Sequence, residues 1–271
     1  MLDNMKKVAI AAGEIQKKYF RQTELDVVHK TNHENIVTIA DHESQKIIHD
    51  VLLKSTEEMG IETDTVGFIG EEDLRSNGDH MFIIDPLDGT SNYATGTEEF
   101  GTLIAYFYKG ELKSGVMYFP MKKMMYSSEM GKGVTLETDG IGERIALKKI
   151  PLQDCFLLSS MSYQDEIESG MPEKIVSLKP LFRAVRMYGC IGNELGYILQ
   201  GIAGATLAHG CSIWDIAPGL LMLREVGYEM YDMQGNPIHL DLLTPKKTYP
   251  FLACHPSNKA ILFDQISLDP V

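Results

Sequence analysis

The chain has 271 residues, 44 % apolar and 23 % charged, which is the composition of an ordinary globular protein with material for a core. Its 25 basic and 38 acidic residues leave a formal charge of −13, which disfavours a nucleic-acid backbone as partner. No 18-residue apolar run is present, and the apolar stretch from Val8 to Gly13 is too short for a secretion signal, so neither a membrane span nor a leader is expected. Cys155, Cys190, Cys211 and Cys254 include no Cys-x-x-Cys pair; this argues against a zinc knuckle and for free thiols in a reducing, cytoplasmic setting.

Leu2, Met5, Val8, Ala9, Ala12, Ile15 and Tyr19 recur at helical spacing and predict an amphipathic helix over 2–21. A loop and short strand are expected over 23–37. Thr38-Ile39-Ala40-Asp41 precedes the periodic Ile47, Ile48, Val51 and Leu52, a capping box with Asp in place of the usual Glu. Residues 65–69 read as a short buried strand ending in Gly70-Glu71-Glu72, where a solvated turn is the plain expectation. A polar loop over 73–79 leads to Phe82-Ile83-Ile84, a buried strand expected to stop at Asp85-Pro86 because proline offers a ladder no N–H. Residues 100–108 and 112–119 form a hairpin around Lys109-Gly110-Glu111, and 124–128 and 133–137 extend it into a meander that packs on the first two helices. The polar stretch 138–154 reads as a seam between two halves of one domain, about 1–150 and 151–271. Strands are then expected over 155–160, 183–188 and 203–207, a helix-biased segment over 163–179, and a glycine-rich helix over 189–201 whose glycines permit close packing. A helix opening at Asp215, strands over 230–240 and 251–255 and a helix over 259–266 complete the chain.

The chemistry concentrates in residues 82–92, Phe-Ile-Ile-Asp-Pro-Leu-Asp-Gly-Thr-Ser-Asn. Two carboxylates, Asp85 and Asp88, follow a strand, beside a glycine turn whose free amides suit a phosphate. Asp85, the Leu87 carbonyl and Asp88 are hard oxygen donors of the kind a divalent cation takes, converging on one ion or bridging two.

This stretch resembles the Asp-Pro-hydrophobic-Asp-Gly-Thr/Ser motif of the inositol monophosphatase-like family, the magnesium-dependent, lithium-sensitive phosphatases. Three further stretches are similar to family motifs. They are Asn35-Ile-Val-Thr-Ile-Ala-Asp41; Gly70-Glu71-Glu72, with Glu71 fourteen residues before Asp85; and Trp214-Asp215-Ile216-Ala217-Pro218-Gly219, with Asp215 127 residues after Asp88. The resemblance runs from about Lys30 to the last helix. It implies a layered α-β-α-β-α sandwich of the inositol monophosphatase/fructose-1,6-bisphosphatase kind. It implies hydrolysis of a small sugar or polyol phosphate, such as inositol 1-phosphate, by metal-activated water in an in-line displacement. Two or three Mg²⁺ ions, or Mn²⁺ in their place, would sit on Glu71, Asp85, the Leu87 carbonyl, Asp88 and Asp215. Asp41 and Thr90 would activate the water, and Gly89 and Thr90 would hold the phosphate, with Asp88 also facing substrate. Glu72 accompanies Glu71, and Lys30 takes the place of a lysine near a third, weaker metal. A homodimer is implied as well. Asp41 and Asp215 each keep a second reading, as helix caps.

Two positions depart from the inositol-binding pattern. Where the family carries a Glu seven residues before the Trp-Asp aspartate this chain has Ala208, and where it carries an Asp four residues earlier the chain has Gly204. A methyl group accepts no hydrogen bond from a polyol, so the alcohol side is expected to differ while the metal side is retained. That leaves open a nucleotide 3′- or 2′-phosphatase acting on adenosine 3′,5′-bisphosphate or NADP, although no aromatic platform for a base is evident in the sequence. It also leaves open a fructose 1,6-bisphosphatase using Arg183 and Arg186, and a non-catalytic binding protein on the same fold.

Overall fold

The computed structural model describes residues 1–22, 28–29, 36–146, 150–160 and 170–266. The N-terminal helix α1 (Leu2–Tyr19) lies alongside α2 (Ile39–Glu58), and both cover one face of a seven-stranded sheet. Its strands are β3 (Val66–Gly70), β4 (His80–Asp88), β5 (Gly101–Tyr108), β6 (Glu111–Phe119), β7 (Met124–Glu129), β8 (Val134–Thr138) and β9 (Ile141–Arg144), in that spatial order. Only β3 and β4 run parallel; the rest is the expected meander. A short antiparallel pair, β1 (Val28–His29) and β2 (Ile36–Val37), stands apart.

The second sheet joins β10 (Phe156–Ser159), β11 (Ala184–Arg186), β12 (Ala203–Ala208), β13 (Glu229–Tyr231) and β14 (Phe251–Cys254), in the order β11-β10-β12-β14-β13. Between the sheets lie α5 (Ile191–Leu199) and α6 (Ile213–Glu225), buried on nearly every side. The outer face of the second sheet carries α4 (Met171–Leu178) and α7 (Lys259–Ile266). Helix α3 (Thr90–Thr95) follows β4 directly. The layers therefore run α-β-α-β-α, as the resemblance implies, with apolar packing at each of the four interfaces. Strand alternation divides β4 between two of them. Phe82 and Ile84 face α1 and α2, and Met81 and Ile83 face α5 and α6.

Several boundaries differ from the sequence expectation. Strand β4 does not stop before Pro86 but continues to Asp88 through a bulge: Asp85 pairs with Leu103 and Asp88 with Gly101, so Pro86 and Leu87 stand opposite Thr102 alone. A bulge is where a strand tolerates proline, since no ladder donor is needed there. The polar seam contributes a strand, β9, whose four residues are exposed at the sheet edge. Of the segment 163–179, only α4 and its flanks from residue 170 lie within the described residues. After β13 the chain leaves the sheet, because Asp232-Met-Gln-Gly-Asn236 closes a turn on the Asp232 side chain. All four cysteines are free and buried. Among the described residues no helix is long and apolar enough to cross a membrane.

Candidate active site

The bulge shapes the end of β4. The Asp85 carboxylate accepts the Leu87 N–H at 3.0 Å, an Asx-turn that holds the two bulged residues. Asp88 is buried and points at the start of α5. Its Oδ1 accepts the Ile191 N–H at 3.0 Å, and its Oδ2 accepts the Gly192 N–H at 2.7 Å and the Cys190 S–H at 3.1 Å. A helix N-terminus is a favourable neighbour for an anion. Even so, burial outweighs the three donors and pushes the Asp88 carboxyl up to about 6.

Asp41 satisfies both of its readings at once. Its Oδ2 accepts the Thr38 N–H at 2.8 Å and the Thr38 O–H at 2.6 Å, closing the capping box of α2. Its Oδ1 faces Thr90, whose hydroxyl oxygen is 3.2 Å away. The same hydroxyl lies 3.0 Å from the Leu87 carbonyl, so two acceptors compete for one proton. Burial pushes Asp41 up to about 6, and Glu72 adds to the rise. Gln45 clasps Glu72, donating to its carbonyl at 2.7 Å and accepting its N–H at 3.0 Å.

Asp215 caps α6 by accepting the Ser212 N–H at 2.6 Å. Glu71 stands at the end of β3, its N–H 3.3 Å from the Ile84 carbonyl next to Asp85. Burial first, then the charge of Glu71 and Asp88, hold Asp85 and Asp215 well above the usual carboxylate range. The four acids expected from sequence therefore form one electrostatically coupled group.

That donor set fits a hard divalent cation in kind: buried carboxylates and a carbonyl, with mutual repulsion that a cation would relieve. Among the described residues no three acid, thiol or imidazole side chains already converge as a cation cage. Their oxygens are spent on Leu87, Ser212 and the start of α5 instead.

Gly89 has φ 88°, and a Cβ there would stand 2.6 Å from the Glu99 carbonyl oxygen, so the turn into α3 requires glycine. Lys30 lies outside the described residues. Ala208 is fully buried in the central apolar cluster with Ile191 and Ile213. Gly204 sits on the same strand, where a Cβ would meet Leu152 at 2.8 Å, Cys155 at 3.1 Å and Phe182 at 3.3 Å. Sequence reasoning read the glycines at the start of α5 as a means of close packing and did not connect this stretch with Asp88. Its amides and the Cys190 thiol, which hold Asp88, carry no side-chain signature beyond Gly189-Cys-Ile-Gly192.

Comparison with known families matches residues 1–263 to the Inositol monophosphatase family. An inositol-1-monophosphatase of Mesorhizobium japonicum is 30 % identical over 244 residues, 89 % of this chain and 88 % of that one. A fructose-1,6-bisphosphatase/inositol-1-monophosphatase of Thermotoga maritima is 30 % identical over 78 % of this chain and 77 % of its own. The crystal structure of extragenic suppressor protein suhB from Bartonella henselae superposes with TM-score 0.86 at 26 % identity, over 99 % of this chain and 98 % of that one. With the layered sandwich and the acid group at the end of β4 already in place, these matches identify the chain as a member of the inositol monophosphatase family, whose members are metal-dependent phosphatases.

Proposed function

We propose that this chain hydrolyses the phosphomonoester of a small sugar or polyol phosphate, with Mg²⁺ at the end of β4. The observation that carries the reading is the Thr90 hydroxyl, 3.2 Å from Asp41 and beside the coupled acids. Glu71, Asp85, the Leu87 carbonyl, Asp88 and Asp215 would hold the ions, two or three in number, with Mn²⁺ as a substitute. Ions so bound lower the pKa of water and neutralise charge on the leaving oxygen.

The chain's own residues supply the rest. Thr90 donates to Asp41 and offers its oxygen to the attacking water, and Asp41 receives the proton. A carboxyl near 6 is ionised at neutral pH and is a better base than an exposed one. The first amides of α3, Gly89 and Thr90, have no helical carbonyl to bond and serve the phosphate oxygens. Asp88, tied to α5, orients the substrate side. The same reading takes the protein as a cytoplasmic homodimer that binds neither nucleic acid nor membrane.

A second reading, a nucleotide 3′- or 2′-phosphatase, is favoured by one cluster. The Tyr188 and Tyr197 rings lie 5.0 Å apart, and the Lys122 ammonium stands 5.2 Å from the Tyr197 centroid. Tyr188 directly precedes Gly189, so the fold gathers an aromatic face beside the start of α5 that the sequence does not reveal. Arg183 pairs with Asp154 at 3.5 Å and Arg186 covers Phe156, which counts against their use for a second phosphate. The name of the Thermotoga relative still places fructose 1,6-bisphosphate among the substrates to test.

The test is phosphate release with Mg²⁺ from inositol 1-phosphate, fructose 1,6-bisphosphate, NADP and adenosine 3′,5′-bisphosphate. Faster release from a sugar or polyol phosphate than from either nucleotide is expected, together with a loss of about 10²-fold in Thr90→Ala. Preference for a nucleotide selects the second reading. Full activity in Thr90→Ala removes the proposed water-activating pair.

A further inference from the structure

Helix α1 reaches the acid turn through one side chain. Gln16 is fully buried, and its Nε2 donates to the Pro86 carbonyl at 2.7 Å and to Thr102 Oγ1 at 2.8 Å. The Thr102 hydroxyl donates in turn to the same Pro86 carbonyl at 3.2 Å. The main-chain carbonyl of Gln16 accepts the Tyr93 O–H at 2.7 Å, so the same residue also touches α3. We propose that Gln16, with Thr102, is a positioning residue that aims Asp85 by locking the Pro86–Leu87 peptide. This rests on the reading of Asp85 and the Leu87 carbonyl as metal ligands.

The bulge creates the need. Pro86 and Leu87 share a single partner residue across the ladder, so the Pro86 carbonyl falls out of register and requires another donor. The two faces of one peptide plane are then held by different groups. Its C=O end is held by Gln16 and Thr102, and its N–H end is bonded to Asp85 Oδ1 at 3.0 Å. The peptide is trans, so these ends point in opposite directions. Fixing the carbonyl fixes the N–H, and the N–H fixes the carboxylate. The orientation of the Gln16 amide is itself set, because Pro86 offers only an acceptor and must face the NH₂ group.

A second observation separates positioning from stability. Gln16 Oε1 is buried with no hydrogen-bond partner among the described residues. A buried unpaired acceptor is a cost to the folded state, so stability alone would favour an apolar residue of this shape. What the glutamine supplies instead is two donors behind the acid turn.

The experiment measures Mn²⁺ and Mg²⁺ binding by calorimetry, kcat and the thermal midpoint for the parent, Gln16→Met, Thr102→Val, Thr102→Ser and the Gln16→Met/Thr102→Val double variant. Gln16→Met is expected to keep its midpoint while its metal dissociation constant rises about 10- to 100-fold and kcat falls, the range typical of groups that orient ligands. Thr102→Val should behave alike and Thr102→Ser like the parent. The double variant leaves the Pro86 carbonyl without either side-chain donor, so its metal affinity should fall below that of both singles. Metal affinity within twofold of the parent in both Gln16→Met and Thr102→Val overturns the inference while the metal site stands; if Gln16→Met does not fold, Thr102→Val decides. A parent that binds no Mn²⁺ or Mg²⁺ overturns the metal reading, and this inference with it.

Discussion

The end of β4 and the strand β12 are built from opposite materials. At the end of β4 nearly every polar atom is held by another. Asp85 is tied to Leu87, Asp88 to three donors on α5, Asp41 to Thr38 and Thr90, and Asp215 to Ser212. On β12 the positions that a polyol-binding relative would furnish with acids hold Ala208 and Gly204, among Leu152, Phe182, Ile191 and Ile213. One region concentrates charge that the fold alone does not neutralise; the other has filled its space with hydrocarbon.

The strongest way to break the contrast is to remove its central charge. Asp85→Asn should abolish phosphate release, by about 10³-fold or more, since it removes one of the carboxylates proposed to hold the ions. In metal-free buffer the same variant should melt no lower than the parent, because it removes a buried acid that Glu71, Asp88 and Asp215 all repel. Activity within tenfold of the parent would dismiss Asp85 as a metal ligand. A collapse in melting temperature would mean that Asp85 serves the fold and not the ion.

Legibility divides along the same line. Glu71, Asp85, Asp88 and Asp215 stand out in sequence because each motif is local: Glu71 directly follows β3, Asp85 and Asp88 close β4, and Asp215 lies in the first turn of α6. The layered order was legible too, since hairpin signals and helical periods mark each element. What stayed hidden depends on distance or on backbone. The donors to Asp88 lie 102 to 104 residues away, and two of the three are main-chain amides. The bulge was masked by Pro86, which argues for a strand end until its partner residues are known. Gln16 interrupts the apolar stripe of α1, yet it is fully buried while Ile15 beside it is only half-buried. Helical spacing alone ranks those two the other way.

The charged region can be sharpened by pH. Asp41 and Asp88 both have folded-state values near 6, above the ordinary 3.8. A raised acid binds its proton more tightly in the folded chain, so its contribution to stability is complete below about 4 and is lost as pH rises through about 6. Each group corresponds to on the order of 3 kcal/mol across that window. Metal-free protein should therefore melt higher at pH 5 than at pH 7.5, and saturating Mg²⁺ should recover the loss at the higher pH. A melting curve that rises steadily from pH 5 to 7.5 without metal would contradict the raised values.

The apolar region predicts a smaller effect of a different kind. A Cβ at Gly204 would press on Leu152 at 2.8 Å, on Cys155 at 3.1 Å and on Phe182 at 3.3 Å, all side chains able to give a little. Gly204→Ala should cost about 1–2 kcal/mol of stability, the usual price of modest overpacking, and leave kcat and KM of the folded protein unchanged. Restoring polarity is a harsher version of the same test. From sequence, Ala208→Glu reads as a route back to inositol recognition. In the fold Ala208 has no exposed surface, and a glutamate there must either displace apolar neighbours or lie unpaired among them. A lower melting temperature with no gain on inositol 1-phosphate is the expected result. If Ala208→Glu instead keeps its stability and gains activity on inositol 1-phosphate, the space beside β12 is open to substrate, and the division between the two regions lies in one side chain and not in the packing.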